Sequence, residues 1–151
     1  VYREQFHSTG FDAYPLKSAI LKPSRAKDIT ETVIIKGKPA HFDVISGDDA
    51  LTFPMIACGA VGVISVIGNA LPREFSKMIR LEFKGEYEGA RKIHHKFTEL
   101  YSLLFVDGNP AGVKCLLHEM GMIENVLRLP LVPTRVQTVQ KIAEVMKELR
   151  I

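Results

Sequence analysis

Residues 42–69 read FDVISGDDALTFPMIACGAVGVISVIGN, and the alternation inside this stretch decides the fold. Phe42 to Ser46 is a short run rich in β-branched residues, bounded by Pro39 and Gly47, as a buried strand requires. Ala50 to Cys58 then predicts a helix, with Asp48 or Asp49 at its N-cap and Gly59 beyond its end. Pro54 suits that helix only if it lies in the first turn. Val61 to Asn69 reads as a second strand, apolar almost throughout. Strands of this kind alternating with helices predict a parallel sheet covered on both faces. The acidic pair after Gly47 is open to two readings: punctuation between strand and helix, or one wall of a binding site.

Upstream, SAIL (18–21) is a short candidate strand ended by Lys22 and Pro23. Asp28 to Lys36 predicts a helix with Ile29 and Val33 on one face, stopped by Gly37-Lys38-Pro39. Residues 1–17 show neither alternation nor helical spacing, and Gly10 and Pro15 interrupt them.

Downstream the pattern turns helical. Pro72 opens a helix with Phe75, Met78, Ile79 and Phe83 on its apolar face, closed by Gly85. A longer helix carries Tyr87, Ala90, His94, Phe97, Tyr101 and Leu104 on one stripe and ends near Gly108. Pro110 starts a third, with Val113, Leu116, Leu117 and Met120 ahead of Gly121. Thr134 or Thr138 caps a last one, whose Val139, Ile142, Met146 and Leu149 face inward. No strand pattern separates these helices apart from the extended LRLPLVP (127–133). The expected organisation is therefore α/β over residues 1–84, with 1–17 poorly defined, and a helical domain over 85–151.

The bulk properties narrow the function classes. With 151 residues, 46% of them apolar and 25% charged, the chain has the composition of a globular domain. A net charge of +3, with basic and acidic residues interspersed, provides no basic stripe for nucleic acid or an anionic membrane. No apolar run reaches the roughly 18 residues of a membrane span. Cys58 and Cys115 each sit in apolar sequence and read as small buried hydrophobes. The opening VYREQFHSTG lacks the apolar core of a signal peptide, so the expected compartment is the cytoplasm.

Four separated motifs, SGDDA (46–50), GVISV (62–66), LFVDGNPAGVK (104–114) and LRLPL (127–131), occur in an order that is specific. Together they closely resemble the pyruvate-dependent class I aldolase family that contains dihydrodipicolinate synthase and N-acetylneuraminate lyase. Residues 44–78 look like that family's seventh and eighth strand segments, and 85–133 like its helical C-terminal domain. The resemblance implies a (β/α)8 TIM barrel, of which this chain carries the C-terminal part with about three strands. Such barrels typically need about 200–250 residues. The first four strand–helix units, with the glycine–threonine loop that helps hold the pyruvate carboxylate, have no counterpart here. A partial barrel leaves sheet edges unpaired, which implies a homo-oligomer or association through those edges.

The family's reaction forms a Schiff base between a lysine amine and the ketone of pyruvate, which requires the amine in its neutral form. Its lysine ends the sixth strand, and AILKPSRAKD makes Lys22 the nucleophile, following apolar Ile20-Leu21 at the usual distance before SGDD. The acidic residue that normally follows is replaced by Pro23, and a gapless match would put Leu21 at the lysine position; otherwise Lys22 is a solvated strand-end lysine. Tyr2, in a faint echo of the family's proton-shuttle segment, is the candidate shuttle. Its interval to Lys22 is too short for the usual helix, and neither Arg3 nor His7 fits the expected arginine. Gly47 and Ile64 are implied to line the pyruvate pocket with backbone, where a glycine allows close approach. Without the family, they are a turn glycine and a core isoleucine.

Asp48 and Asp49 diverge at a helix start and lack a third ligand, so N-capping is the stronger reading than a carboxylate pair or a metal site. His94 and His95 are adjacent and cannot share a helix face, while His41 and His118 are isolated; no metal is expected. GNPAGVK (108–114) lacks the glycine spacing of a phosphate loop and reads as the end of one helix and the start of the next. The implied activity is a lyase condensing pyruvate with a small aldehyde, aspartate semialdehyde, in lysine biosynthesis, with no cofactor. The alternatives are a sibling aldolase acting on N-acetylneuraminate or a 2-keto-3-deoxy sugar acid, and an inactive truncated relative.

Overall fold

The computed structural model describes residues 18–21 and 30–151, with side chains from Ile34 onward. Ser18–Leu21 (β1), Asp43–Ser46 (β2) and Gly62–Val63 (β3) form one parallel sheet in the order β1-β2-β3. The register pairs Ser18 with Asp43 and Leu21 with Ser46 on one side of β2, and Ile45 with Gly62 and Ser46 with Val63 on the other. Thr30–Gly37 (α1) connects β1 to β2, and Asp49–Ala57 (α2) connects β2 to β3. The βαβ alternation expected from residues 42–69 is therefore present.

Two expectations about that stretch are corrected. The second strand is far shorter than Val61–Asn69: beyond β3 the backbone leaves the sheet and closes a 3₁₀ turn at Ile67–Asn69. An apolar run carries no mark of where a ladder stops, and here the Asp49 carboxylate takes the Val66 and Ile67 amides instead. Pro54 lies inside α2 rather than in its first turn. The helix tolerates it because Ala50, whose carbonyl loses the N–H it would otherwise receive, sits on the same exposed face as Pro54.

Five further helices follow: Pro72–Phe83 (α3), Tyr87–Lys96 (α4), Thr98–Leu103 (α5), Ala111–Glu119 (α6) and Val136–Leu149 (α7). The stripe on α3 is rotated from expectation: Phe75 and Met78 are buried, Phe83 is exposed, and Glu82 is buried in its place. The single long helix expected across Tyr87–Leu104 is two, broken at fully buried Phe97. At the break the Phe97 amide and the Thr98 hydroxyl both turn to the His94 carbonyl, at 3.1 and 3.3 Å, which tightens the turn and redirects the chain. Tyr87 is accordingly exposed, while Ala90, Tyr101 and Leu104 stay inside.

Neither Thr134 nor Thr138 caps α7. Its N-cap is Arg135, and Asp107, from the loop before α6, supplies the carboxylate: it accepts the Arg135 amide at 3.0 Å and the Thr138 hydroxyl at 2.6 Å. Its second oxygen takes the Arg135 guanidinium at 2.6 Å. Of the two cysteines, Cys115 is fully buried as expected, but Cys58 is exposed at the C-cap of α2. One core runs from Ile67 and Phe75 through Ala90, Leu100 and Leu116 to Ile142 and Met146, and a smaller one gathers Ile35, Val44, Met55, Ile56 and Ala60. Among the described residues, no helix is long and apolar enough to cross a membrane.

Candidate functional site

The site is built where β2 and β3 end. Both strands point their carboxyl ends the same way, so the residues that leave them, Gly47-Asp48 and Ile64-Ser65, open onto one cleft. The Ile64 amide donates to the Ser46 carbonyl at 2.9 Å, which fixes the two strand ends against each other. The opposite wall comes from the helical part: Asn109 and Lys114, at the start of α6, line the same cavity of about 840 Å³. Gly47 and Ile64, singled out from the sequence, are thus brought together. Ile64 is 57% exposed, so it belongs to a wall rather than to the core.

The acidic pair divides its labour. Asp48 is the N-cap of α2: one carboxylate oxygen accepts the Ala50 and Leu51 amides, at 2.8 and 3.1 Å. Ser46 and Thr52 brace that corner, since the Ser46 hydroxyl donates to the Asp48 carbonyl at 2.8 Å and lies 3.0 Å from the Thr52 hydroxyl. Asp49 does not cap. It is buried, and its carboxylate reaches across to the Val66 and Ile67 amides at 3.0 and 2.7 Å. Burial pushes its carboxyl above the ordinary range, and the Ser65 hydroxyl and the two amides offset part of that push. Asp49 therefore holds the turn that shapes the Ile64–Val66 wall. The N-capping expectation is right for Asp48 and wrong for Asp49, because a helix start has one N-cap and the neighbouring side chain points elsewhere. That arithmetic was the available signal: a second aspartate beside a capping one, framed by apolar sequence, needs another partner.

The turn is closed further by Ser65, whose hydroxyl accepts the Gly68 amide at 2.7 Å, and by Asn69, whose side-chain amide donates to the Ser65 and Val66 carbonyls at 3.2 and 3.0 Å. On the far wall the Lys114 ammonium donates to the Val126 carbonyl, and His118 contacts the Ile123 carbonyl at 3.0 Å; both contacts fasten residues 122–126 to α6. Residue-type spacing gave no sign that GNPAGVK would line the cleft, since that depends on how the helices fold back. Lys22 and Tyr2 lie outside the described residues. Among the described residues, no cluster of three or more His, Cys, Asp or Glu side chains is arranged to hold a metal ion.

A parallel α/β sheet with a cleft at the carboxyl ends of its strands is the arrangement of enzymes whose sites are made by strand-to-helix loops. The model of the dihydrodipicolinate synthetase family matches residues 21–149, and the chain belongs to that family. A 4-hydroxy-tetrahydrodipicolinate synthase of Phocaeicola vulgatus is 69% identical over 118 residues, which cover 78% of this chain and 40% of that protein. The crystal structure of dihydrodipicolinate synthase from Aquifex aeolicus superposes with a TM-score of 0.78 at 38% identity, over 87% of this chain and 45% of that one. A dihydrodipicolinate synthase variant described as monomeric superposes with a TM-score of 0.77 at 37% identity, over 85% and 44%. The chain thus spans about two fifths of the length of the curated relatives it matches.

Proposed function

We propose that this chain is the C-terminal part of a (β/α)8 barrel with its helical extension, and that it carries one side of the active site of a lyase condensing pyruvate with aspartate semialdehyde. The observation that carries the proposal is the meeting of Gly47 and Ile64 on one cleft, at the ends of adjacent parallel strands, in a chain so similar to proteins named as this synthase. Those names favour the synthase over sibling aldolases that act on sugar acids.

In this reading Lys22 is the nucleophile. Leu21 is in register with Ser46, and Lys22 and Gly47 are the residues that follow each in sequence. The neutral amine attacks the ketone carbon of pyruvate, and loss of water leaves an iminium. Removal of a methyl proton gives an enamine, whose carbon attacks the aldehyde of the second substrate; Tyr2 is the proposed proton carrier. The backbone at Gly47 and Ile64 walls in the pyruvate end. Asp48 and Asp49 hold helix and turn in place and move no proton. No cofactor enters this chemistry, and the two cysteines and the composition suit a cytoplasmic setting.

Incubation with pyruvate and borohydride tests the proposal on the chain itself. The expected result is a single reduced pyruvyl adduct that maps to Lys22 by peptide mass spectrometry and disappears in Lys22→Ala. No adduct on folded protein overturns the enzyme reading of this chain, and an adduct on another lysine overturns the assignment.

A further inference from the structure

We infer that Tyr101 is a positioning residue for the cleft wall: ordered water at the junction of α2, α4 and α5 joins its hydroxyl to the Asp49 carboxylate, which holds the turn at Val66 and Ile67. Tyr101 is 3% exposed and Asp49 1%, yet the Tyr101 hydroxyl and Asp49 Oδ1 have no hydrogen-bond partner among the described residues. Buried polar atoms in folded proteins are almost always paired, with protein groups or with internal water. A group on a further chain does not reach either atom, because the fold has already closed over both. Asp49 and Phe53 are four residues apart and share a face of α2. The Phe53 ring stacks on His94 of α4 at 5.2 Å, and the His94 ring lies 5.6 Å from that of Tyr101 on α5. Burial, and after it the charges of Asp49 and Glu82, hold the Tyr101 hydroxyl above its usual range, so both carboxyls lie near it although neither bonds it directly. Polar groups that interact across more than a hydrogen-bond length are the ones that water bridges.

A buried water takes about three polar partners. Asp49 Oδ1 and the Tyr101 hydroxyl supply two. Glu82 faces Tyr101 from α3 with both carboxyl oxygens unpartnered, and His94 adds a buried, unpartnered Nδ1. The Ser65 hydroxyl stands close enough to Asp49 to ease its charge, but it bonds the Gly68 amide rather than Oδ1. A metal ion suits this set less well, since no three His, Cys, Asp or Glu side chains among the described residues are arranged to hold one. The consequence for the cleft runs through Asp49. Its Oδ2 accepts the Val66 and Ile67 amides at 3.0 and 2.7 Å, at the end of the wall that carries Ile64. A donor on Oδ1 keeps the desolvated carboxylate charged, and a charged acceptor holds amides more strongly than a neutral one. Tyr101 does not line the cleft; it acts through Asp49.

Hydrogen exchange followed residue by residue by NMR reads the two amides directly. Tyr101→Phe keeps the ring and its edge contact with Phe75 at 6.3 Å, and removes only the hydroxyl. The expected result is roughly tenfold faster exchange at Val66 and Ile67, measured relative to the amides of buried Ile142 and Val145 in α7, because a buried acceptor loses its support. Tyr87→Phe removes an exposed hydroxyl from α4 and is expected to leave all four amides as in the parent. A crystal structure of the parent is expected to show ordered water bonded to Asp49 Oδ1 and to the Tyr101 hydroxyl. Unchanged exchange at Val66 and Ile67 in Tyr101→Phe, or an equal acceleration throughout the core, overturns the inference. So does a direct bond between the two side chains, or a metal ion in the place of the water. None of these measurements needs a substrate, so their outcome and that of the borohydride test are independent.

Discussion

At the scale of single residues, Glu82 makes the clearest prediction. It replaces an expected surface position on α3 with a carboxyl that is 2% exposed and has no hydrogen-bond partner among the described residues. Burial pushes its pKa from the ordinary 4.5 up to about 8, so the folded chain holds it protonated where the unfolded chain releases the proton. Tyr101 faces the same region, and burial, with the charges of Asp49 and Glu82, holds its hydroxyl above its usual range. The linkage has one sign: the protonated fold is at no disadvantage below about pH 4.5 and loses stability as pH rises towards 8. Urea unfolding across that window is expected to show the loss, and Glu82→Leu is expected to flatten the profile and gain about 2 kcal/mol at pH 8. Because burial lowers the His94 pKa and tilts the parent profile the other way at the acid end, the test is the difference between the two proteins: a Glu82→Leu profile parallel to the parent's would contradict the assignment. No pattern in the sequence marked Glu82, because neighbours on a helix lie about 100° apart, and a partial rotation about the helix axis decides which of the two faces the core.

At the scale of elements, the helices are placed by contacts that periodicity does not encode. The existence of α3, α6 and α7 was legible from apolar spacing and from Pro72, Pro110 and Gly121 near their ends. The break at Phe97 and the capping of α7 by Asp107 were not, since one arises from competition for a single carbonyl and the other from a residue 28 positions away. Gly112 shows how closely these elements meet. It is buried in α6 against the Leu104 backbone at the end of α5, and a Cβ there would overlap the Leu104 carbonyl. Gly112→Ala is therefore expected to cost about 3 kcal/mol or more, measured by chemical denaturation, although alanine favours helices. A neutral or stabilising effect would mean that α6 packs elsewhere. Because Lys114 borders the cleft from this helix and Asn109 from the turn just before it, the variant is also expected to weaken ligand binding.

At the scale of the whole molecule, the described residues form a three-stranded parallel sheet with no strand on the outer edges of β1 or β3. Residues 122–136 expose a run of apolar side chains, among them Met122, Val126, Leu129, Val132 and Val136, with Leu129 86% exposed. Open edges and apolar surface both favour association. Sedimentation at micromolar concentration is expected to find the chain larger than a monomer, and a stable monomer would refute that expectation. The sequence by itself determined the order of strands and helices, the apolar faces of most helices and the family, because these follow from local periodicity and from motifs in a fixed order. Through the resemblance to that family it also pointed to Gly47 and Ile64, which the structure places together on one cleft. Only the tertiary structure decided that Asp48 caps while Asp49 holds the opposite turn, that Glu82 is buried, and that Lys114 and Asn109 face Gly47 across one cleft. Those outcomes depend on which side chains meet through space, and spacing along the chain constrains that only within a few turns of the backbone.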